Sequence, residues 1–268
     1  MSLTHFAPTT SLLWKYLESI DINPEPLYKK AGIKPELLLN PNARININQV
    51  DALWEQAAEI IEDPCFAIDM AEFWHPSHMG ALGYAWLASS TLRQGFNRAV
   101  RYIHVVTEDL NLDVADTPVG FKISIDLEDS VFTLPQHHDL VLSIIMHMCR
   151  FNFGEELIPT EVKLAHPEPA CSKKITDYFL TGVQFDAEQT SLALARAEVD
   201  RVLPSGNKQI ALMHDEMLMR YLVEIKKGDI VQQVQSIILE NLPDGQVTDR
   251  LVASELNLSE RSMQRRLK

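Results

Sequence analysis

Five polar residues near the end of the chain, Arg261, Ser262, Gln264, Arg265 and Lys268, share the outer side of a helix drawn from Glu260 onward. Met263 and Leu267, four apart, mark its inner side. Arginine can bond two-fold to guanine and glutamine to adenine in the major groove, whereas lysine and spare arginine hold phosphates. The residues just upstream are those such a helix needs around it. Thr248 is a good N-cap for a helix with Leu251, Val252, Ala253 and Leu256. Ala253 is small enough to allow a close crossing, Asn257 tolerates a positive φ at the turn, Leu258 plugs the core, and Ser259 caps the second helix. A cap-rich helical hairpin with a solvated basic face is the plainer alternative.

A second cluster is aromatic and imidazole: Phe73, Trp74, His75, His78, Tyr84 and Trp86. Small-molecule pockets are mostly apolar with a few placed polar groups, so Trp74, His78, Tyr84 and Trp86 are candidate effector contacts. Arg101 and His104 share a helix face, and Arg150 follows an apolar helix. Arginine beside aromatic rings would suit a carboxylate. The alternative is that the aromatic residues are core and that His75 and His78 cap a turn. His137-His138 and the pair His147 and Cys149 lack metal-ligand spacing. With no Gly-rich phosphate loop, no Gly-x-Ser-x-Gly and no nucleophile with its base, neither a cofactor nor catalysis is expected.

The elements that must position these residues are ordinary globular ones. The chain has 268 residues, 46% hydrophobic and 23% charged, so two unequal domains are expected. The formal charge is −13, but the last ten residues carry four positive charges and one negative, which leaves an acidic body with a basic tip. No apolar run of about 18 residues occurs, and the N-terminus has no signal-like pattern, so no membrane partner and a cytoplasmic location are expected. Cys65, Cys149 and Cys171 are few, odd in number and far apart, which argues for a reducing cytosol and against a disulfide framework.

The first hundred residues read as helical, with stripes such as Leu12, Leu13, Tyr16 and Leu17, or Val50, Leu53, Trp54 and Ala57, broken at Pro24, Pro35, Pro41 and Pro64. A helix is predicted from Thr91 to Thr107. The period then becomes two at Leu110–Val114 and Phe121–Leu127, a hairpin turning at Asp116–Gly120. A helix over Pro135–Phe153 follows, then strands near Glu161–Ala165, Val183–Asp186 and Ser191–Ala195, with a short helix at Cys171–Leu180. The fold class is α+β, helices on an antiparallel sheet, followed by an all-α partial helix-turn-helix segment. The expected divisions are a sensing domain at 1–204, a linker and connecting helix at 205–228, and a helix-turn-helix segment at 229–268.

The stretch from Thr248 to Lys268 resembles the first helix-turn-helix of AraC/XylS-type transcription regulators. The upstream region resembles the "arabinose-binding" effector domain of the branch typified by ornithine-utilisation regulators. The likeness rests on Ala31-Gly32-Ile33 with Asn40-Pro41-Asn42-Ala43-Arg44-Ile45, on Asp63-Pro64-Cys65-Phe66, and on Met79-Gly80-Ala81-Leu82-Gly83 leading to Ser89-Ser90-Thr91-Leu92. It continues through Val162-Lys163-Leu164-Ala165-His166, Val183-Gln184-Phe185 and Asp200-Arg201-Val202-Leu203-Pro204. The resemblance implies a ligand-responsive regulator of double-stranded promoter DNA, a homodimer and often an activator. Arg261, Gln264 and Arg265 would read bases and Lys268 would hold phosphate. Such regulators carry two helix-turn-helix units, so this segment is expected to be the first half of the DNA-binding domain and to bind DNA weakly as it stands. The competing function is a ligand-binding or protein-interaction module whose C-terminal helices only dimerise.

Overall fold

The computed structural model describes residues 3–126, 134–225, 234, 237–238, 247–256 and 258–266. The chain forms two compact units, Ser2–Asp215 and Glu216–Lys268.

In the larger unit, short helices come first: α1 (Ser11–Ser19), α2 (Glu25–Lys30), α3 (Ile47–Ile60), α4 (Phe66–Met70), α5 (Ala81–Leu87) and α6 (Leu92–Val106). Capping fixes where several begin. The Asn46 side chain accepts from the Asn48 N–H at 2.9 Å at the start of α3, and Thr91 Oγ1 accepts from the Gln94 N–H at 3.2 Å at the start of α6. This satisfies donors that a helix's first turn leaves without partners. Within the stretch expected to be all helical lies a small sheet. Strand β1 (Thr4–Phe6) pairs antiparallel with β2 (Arg44–Asn46). Each strand has three residues, too few to show a period of two, so the pattern alone could not reveal it.

The main sheet has the order β3-β4-β7-β5-β6. Its members are β3 (Asn111–Thr117), β4 (Gly120–Asp126), β5 (Glu161–Lys163), β6 (Val183–Gln184) and β7 (Ser191–Leu194). The hairpin turns on Pro118-Val119 alone, because Asp116 and Thr117 continue β3 and pair with Phe121 and Gly120. Four of the strands are joined antiparallel as expected, but β5 and β6 are parallel. The cause is the crossover between them through α8 (Ser172–Phe179), since a helical crossover returns the chain in the same direction. Helix α7 (Pro135–Phe153) begins with Pro at its first position and ends at Gly154, whose φ of +128° favours glycine. Phe121, Ile123 and Ile125 of β4 face the core, where Phe121 meets Phe96 of α6 at 5.7 Å between ring centroids. The unit closes with α9 (Arg196–Val199), and the division between units falls inside the long helix α10 (Lys208–Ile225).

A close approach inside α5 gives a first testable result. A Cβ built on Gly83 would lie 2.1 Å from the Pro76 carbonyl oxygen. Alanine ordinarily stabilises a helix over glycine by about 1 kcal/mol. Here Gly83→Ala is expected to destabilise by about 2 kcal/mol, because backbone must shift to admit the methyl. A urea-denaturation midpoint equal to or above the wild-type value would contradict this.

The expectation of unpaired cysteines is corrected. Cys65 and Cys171 are joined in a disulfide across 106 positions, whereas Cys149 is a buried free thiol. Sequence distance carries no information about this closeness, which arises because the turn before α4 packs beside the start of α8. Lys174 fastens the same junction, with Nζ 2.6 Å from Asp63 and 2.5 Å from Asp69.

In the smaller unit, helices Asp249–Glu255 and Glu260–Arg266 pack through Val252, Ala253 and Met263, flanked by Val234, Ile237, Ile238, Val247, Leu256 and Leu258.

Candidate functional site: an enclosed apolar cavity and a capped helix pair

The helices of the larger unit do not interdigitate fully. Between α1, α3, α6 and α7 they leave a cavity of about 140 Å³. Its wall follows the helical period: Phe96, Ala99, Ile103 and Val106 from α6, and Leu140, Val141, Ile144, Ile145 and Met148 from α7. Trp54, Trp74 and Trp86 complete it. Among the described residues, no Lys, Arg, Asp or Glu lines it.

The few polar atoms of the wall are mostly committed. Thr9 Oγ1 donates to the His78 carbonyl at 2.6 Å, Thr10 Oγ1 to the Ala7 carbonyl at 2.8 Å, and Thr107 Oγ1 to the Asp109 carboxylate. Trp86 Nε1 donates to the Met148 carbonyl at 3.2 Å. Two solvent-shielded atoms on wall residues have no partner: Trp74 Nε1 and His5 Nδ1. Burial, and then the nearby Arg44 charge, pushes the His5 pKa down to about 3. Burial, followed by His138 and His5, pushes His137 down to about 3. Both imidazoles are therefore neutral at physiological pH, so the cavity is uncharged as well as apolar.

Of the six residues singled out as effector contacts, Trp74 and Trp86 stand in the wall. His78 is buried but serves a reciprocal cap: its Nδ1 accepts from the His75 N–H at 3.0 Å, while His75 Nδ1 accepts from the Ser77 N–H at 3.2 Å. Tyr84 is largely exposed and stacks on His214 with centroids 5.6 Å apart. Arg101 is exposed, and His104 Nε2 lies 3.1 Å from Asn111 Oδ1, both outside the cavity. Arg150 is buried outside the cavity wall, with Nε and Nη1 donating to the carbonyls of Leu157 at 3.2 Å and Tyr178 at 2.9 Å. The arginine-and-aromatic combination that would suit a carboxylate is therefore not assembled. Trp54 was visible in the sequence as part of an apolar stripe, and α6 and α7 as helices; that their residues border a void, rather than each other, was not, and nothing marked His5.

A second hollow of about 740 Å³ lies open on the main sheet and is polar, with Lys122, Lys163, His138, Asp126 and Glu188 on its rim. For metals, Asp63, Cys65 and Cys171 lie within 4.8 Å of one another, but the two sulfurs are bonded together and so are not ligands in this form.

In the smaller unit, Thr248 Oγ1 accepts from the Leu251 N–H at 3.2 Å, and Ser259 Oγ accepts from the Ser262 N–H at 3.2 Å. The Leu258 N–H donates to the Ala253 carbonyl at 2.9 Å, closing the turn. Arg261, Gln264 and Arg265 are exposed on the far side from Met263, and Ser262 is half-buried. Gln264 Nε2 donates to Asp249 at 3.2 Å. Asn257, Leu267 and Lys268 lie outside the described residues.

Residues 22–203 match the family model described as the arabinose-binding domain of AraC transcription regulator, N-terminal, and the chain belongs to that family. It is 22% identical to the ornithine utilization regulator of Pseudomonas aeruginosa, over 92% of this chain and 73% of that protein. The crystal structure of the transcriptional regulator CdpR from Pseudomonas aeruginosa has a similar fold, with a TM-score of 0.56 and 18% identity, covering 96% of this chain and 78% of the other. No helix among the described residues is long and apolar enough to cross a membrane. These relatives are transcription regulators rather than enzymes.

Proposed function

We propose that the chain is the sensing and DNA-contacting part of a regulator that responds to a small-molecule effector and binds double-stranded promoter DNA as a homodimer, acting in the cytoplasm as an activator. The single observation that carries this reading is the capped helix pair, whose exposed side presents Arg261, Gln264 and Arg265 while its inner side is closed by Met263. That combination is the chemistry of base reading, and Ser262 and Lys268 complete the proposed contact set. The exposed apolar residues Ile210, Leu212, Met213, Met217 and Met219 of α10 support the homodimer.

The cavity is the proposed effector site. Helix α6 lines it and also holds the start of α10, because Arg98 Nε lies 3.0 Å from Asp215 Oδ1. The Tyr84–His214 stack fastens the same stretch. An effector that binds one placement of α6 more tightly than another would thereby bias α10.

A gel shift with the natural full-length protein and its own upstream DNA tests the reading. Arg265→Ala is expected to weaken specific binding by about 1–3 kcal/mol, roughly 5- to 150-fold, while leaving thermal stability unchanged, since the side chain is exposed. Absence of any sequence-specific shift at modest salt would sink the proposal.

A further inference from the structure

Resting on the reading of the cavity as the effector site, we infer that the effector is a neutral, single-ring aromatic molecule bearing one hydrogen-bond acceptor, such as an aryl ketone, aldehyde or ester. Size sets the first limit. A void of about 140 Å³ is close to one that, lined by Leu, Ile and Phe, stays dry and takes up benzene, roughly 150 Å³. Charge sets the second. Among the described residues no ionised side chain borders the void, so an amino acid, carboxylate or amine would be buried there without a counter-ion. Polarity sets the third. A sugar's several hydroxyls would each need partners, but the threonine hydroxyls have spent their donors, Trp86 Nε1 is engaged, and besides these only Trp74 Nε1 and His5 Nδ1 stand without a partner among the described wall atoms.

The remaining features select rather than exclude. Four aromatic walls, Trp54, Trp74, Trp86 and Phe96, favour a ring that can meet them edge-on or offset. Trp74 is 5% exposed, and its Nε1 is shielded from solvent with no hydrogen-bond partner. An indole N–H only donates, so the group that satisfies it must accept. A carbonyl oxygen does this without bringing a charge or a second donor that would itself go unsatisfied. The arabinose and ornithine in the names of the family and of a relative therefore do not describe what this cavity would hold.

The test is thermal unfolding and calorimetric titration of the full chain with acetophenone, toluene, ornithine and arabinose. Acetophenone is expected to raise the melting temperature and to bind about tenfold tighter than toluene, the difference one neutral hydrogen bond makes. Trp74→Phe should bring acetophenone down to the toluene level and leave toluene nearly unchanged. Ala99→Leu, which fills the void from α6, should abolish binding of both while keeping the far-UV circular dichroism of the wild type. Equal affinities for acetophenone and toluene, or a gap that survives Trp74→Phe, would overturn the acceptor assignment. Absence of any acetophenone effect, or binding that survives Ala99→Leu, would overturn the site. If ornithine or arabinose alone shifts the melting temperature, the ligand class is wrong but a ligand-responsive regulator still stands. If acetophenone binds as described yet leaves DNA binding unchanged, the ligand class holds and the effector reading falls.

Discussion

Acidification from pH 6.5 to 4.5 is expected to cost the larger unit on the order of 5 kcal/mol of stability. His5 and His137 have pKa values pushed down to about 3 by burial. His78 is pushed down to about 4 by burial and then by Lys15 and His75. In the unfolded chain each of these titrates near 6.5. Their stabilising contribution is therefore complete above pH 6.5 and declines as pH falls toward the folded values, because the unfolded state takes up protons the folded state refuses. Asp51 acts the other way. Burial, with Asp109 and Glu55 adding, raises its pKa to about 6, so the folded state gains a proton first. These three groups against one leave about two protons, or roughly 3 kcal/mol per pH unit, and burial lowers His138 and His147 in the same direction as the three. His166 has the opposite sign again. Burial lowers its pKa, but hydrogen bonding to Asp139 outweighs that and leaves it raised, so its contribution is present at low pH and lost above 6.5. All four tryptophans, Trp14, Trp54, Trp74 and Trp86, lie in this unit, so intrinsic fluorescence reports its unfolding directly. Urea midpoints at pH 7 and 4.5 should differ clearly, and His137→Leu should lower the pH slope by about one proton. A flat pH profile would refute the assignment of neutral buried imidazoles.

Breaking the Cys65–Cys171 bridge is expected to be the next largest perturbation. It closes a segment of 106 positions, and the loss of unfolded-chain entropy from a loop of about that length corresponds to about 4.7 kcal/mol. Cys171→Ser should lower the urea midpoint accordingly under non-reducing conditions, and dithiothreitol should bring the wild type to the same value. The reduced form should keep its secondary structure, since Lys174 still joins Asp63 and Asp69 across the junction. If dithiothreitol leaves the wild-type midpoint in place, the two sulfurs are not bonded in solution.

These two effects illustrate what can be read along the chain and what cannot. Helices α6 and α7 were legible because their apolar residues recur at helical spacing over 15 and 19 residues, and because Thr91 and Pro135 are strong start signals. The β3–β4 hairpin was legible because its period is two. The pairing of Thr4–Phe6 with Arg44–Asn46 was not, since neither segment is long enough to have a period. Nor was the disulfide, whose partners meet only after α4 and α8 have packed. The cavity lies between these extremes. Its wall residues Phe96, Ile103, Leu140 and Ile144 recur at helical spacing, but a stripe has the same pattern whether its neighbours touch it or leave a gap. The charged and polar positions Arg101 and His104 looked site-like by residue type alone, and their placement outside the wall reflects which way α6 is turned.

The ends of the main sheet bear on how the protein behaves at high concentration. An unpaired strand edge is a template on which another chain can extend the ladder. Among the described residues, one edge is β3, where Asp113 and Asp116 put negative charge along the rim and Arg93 and Arg196 clasp Asp116. The other is β6, only two residues long. Neither offers a long, flat, apolar row for fibril-like stacking, so many copies could crowd together without their sheets fusing.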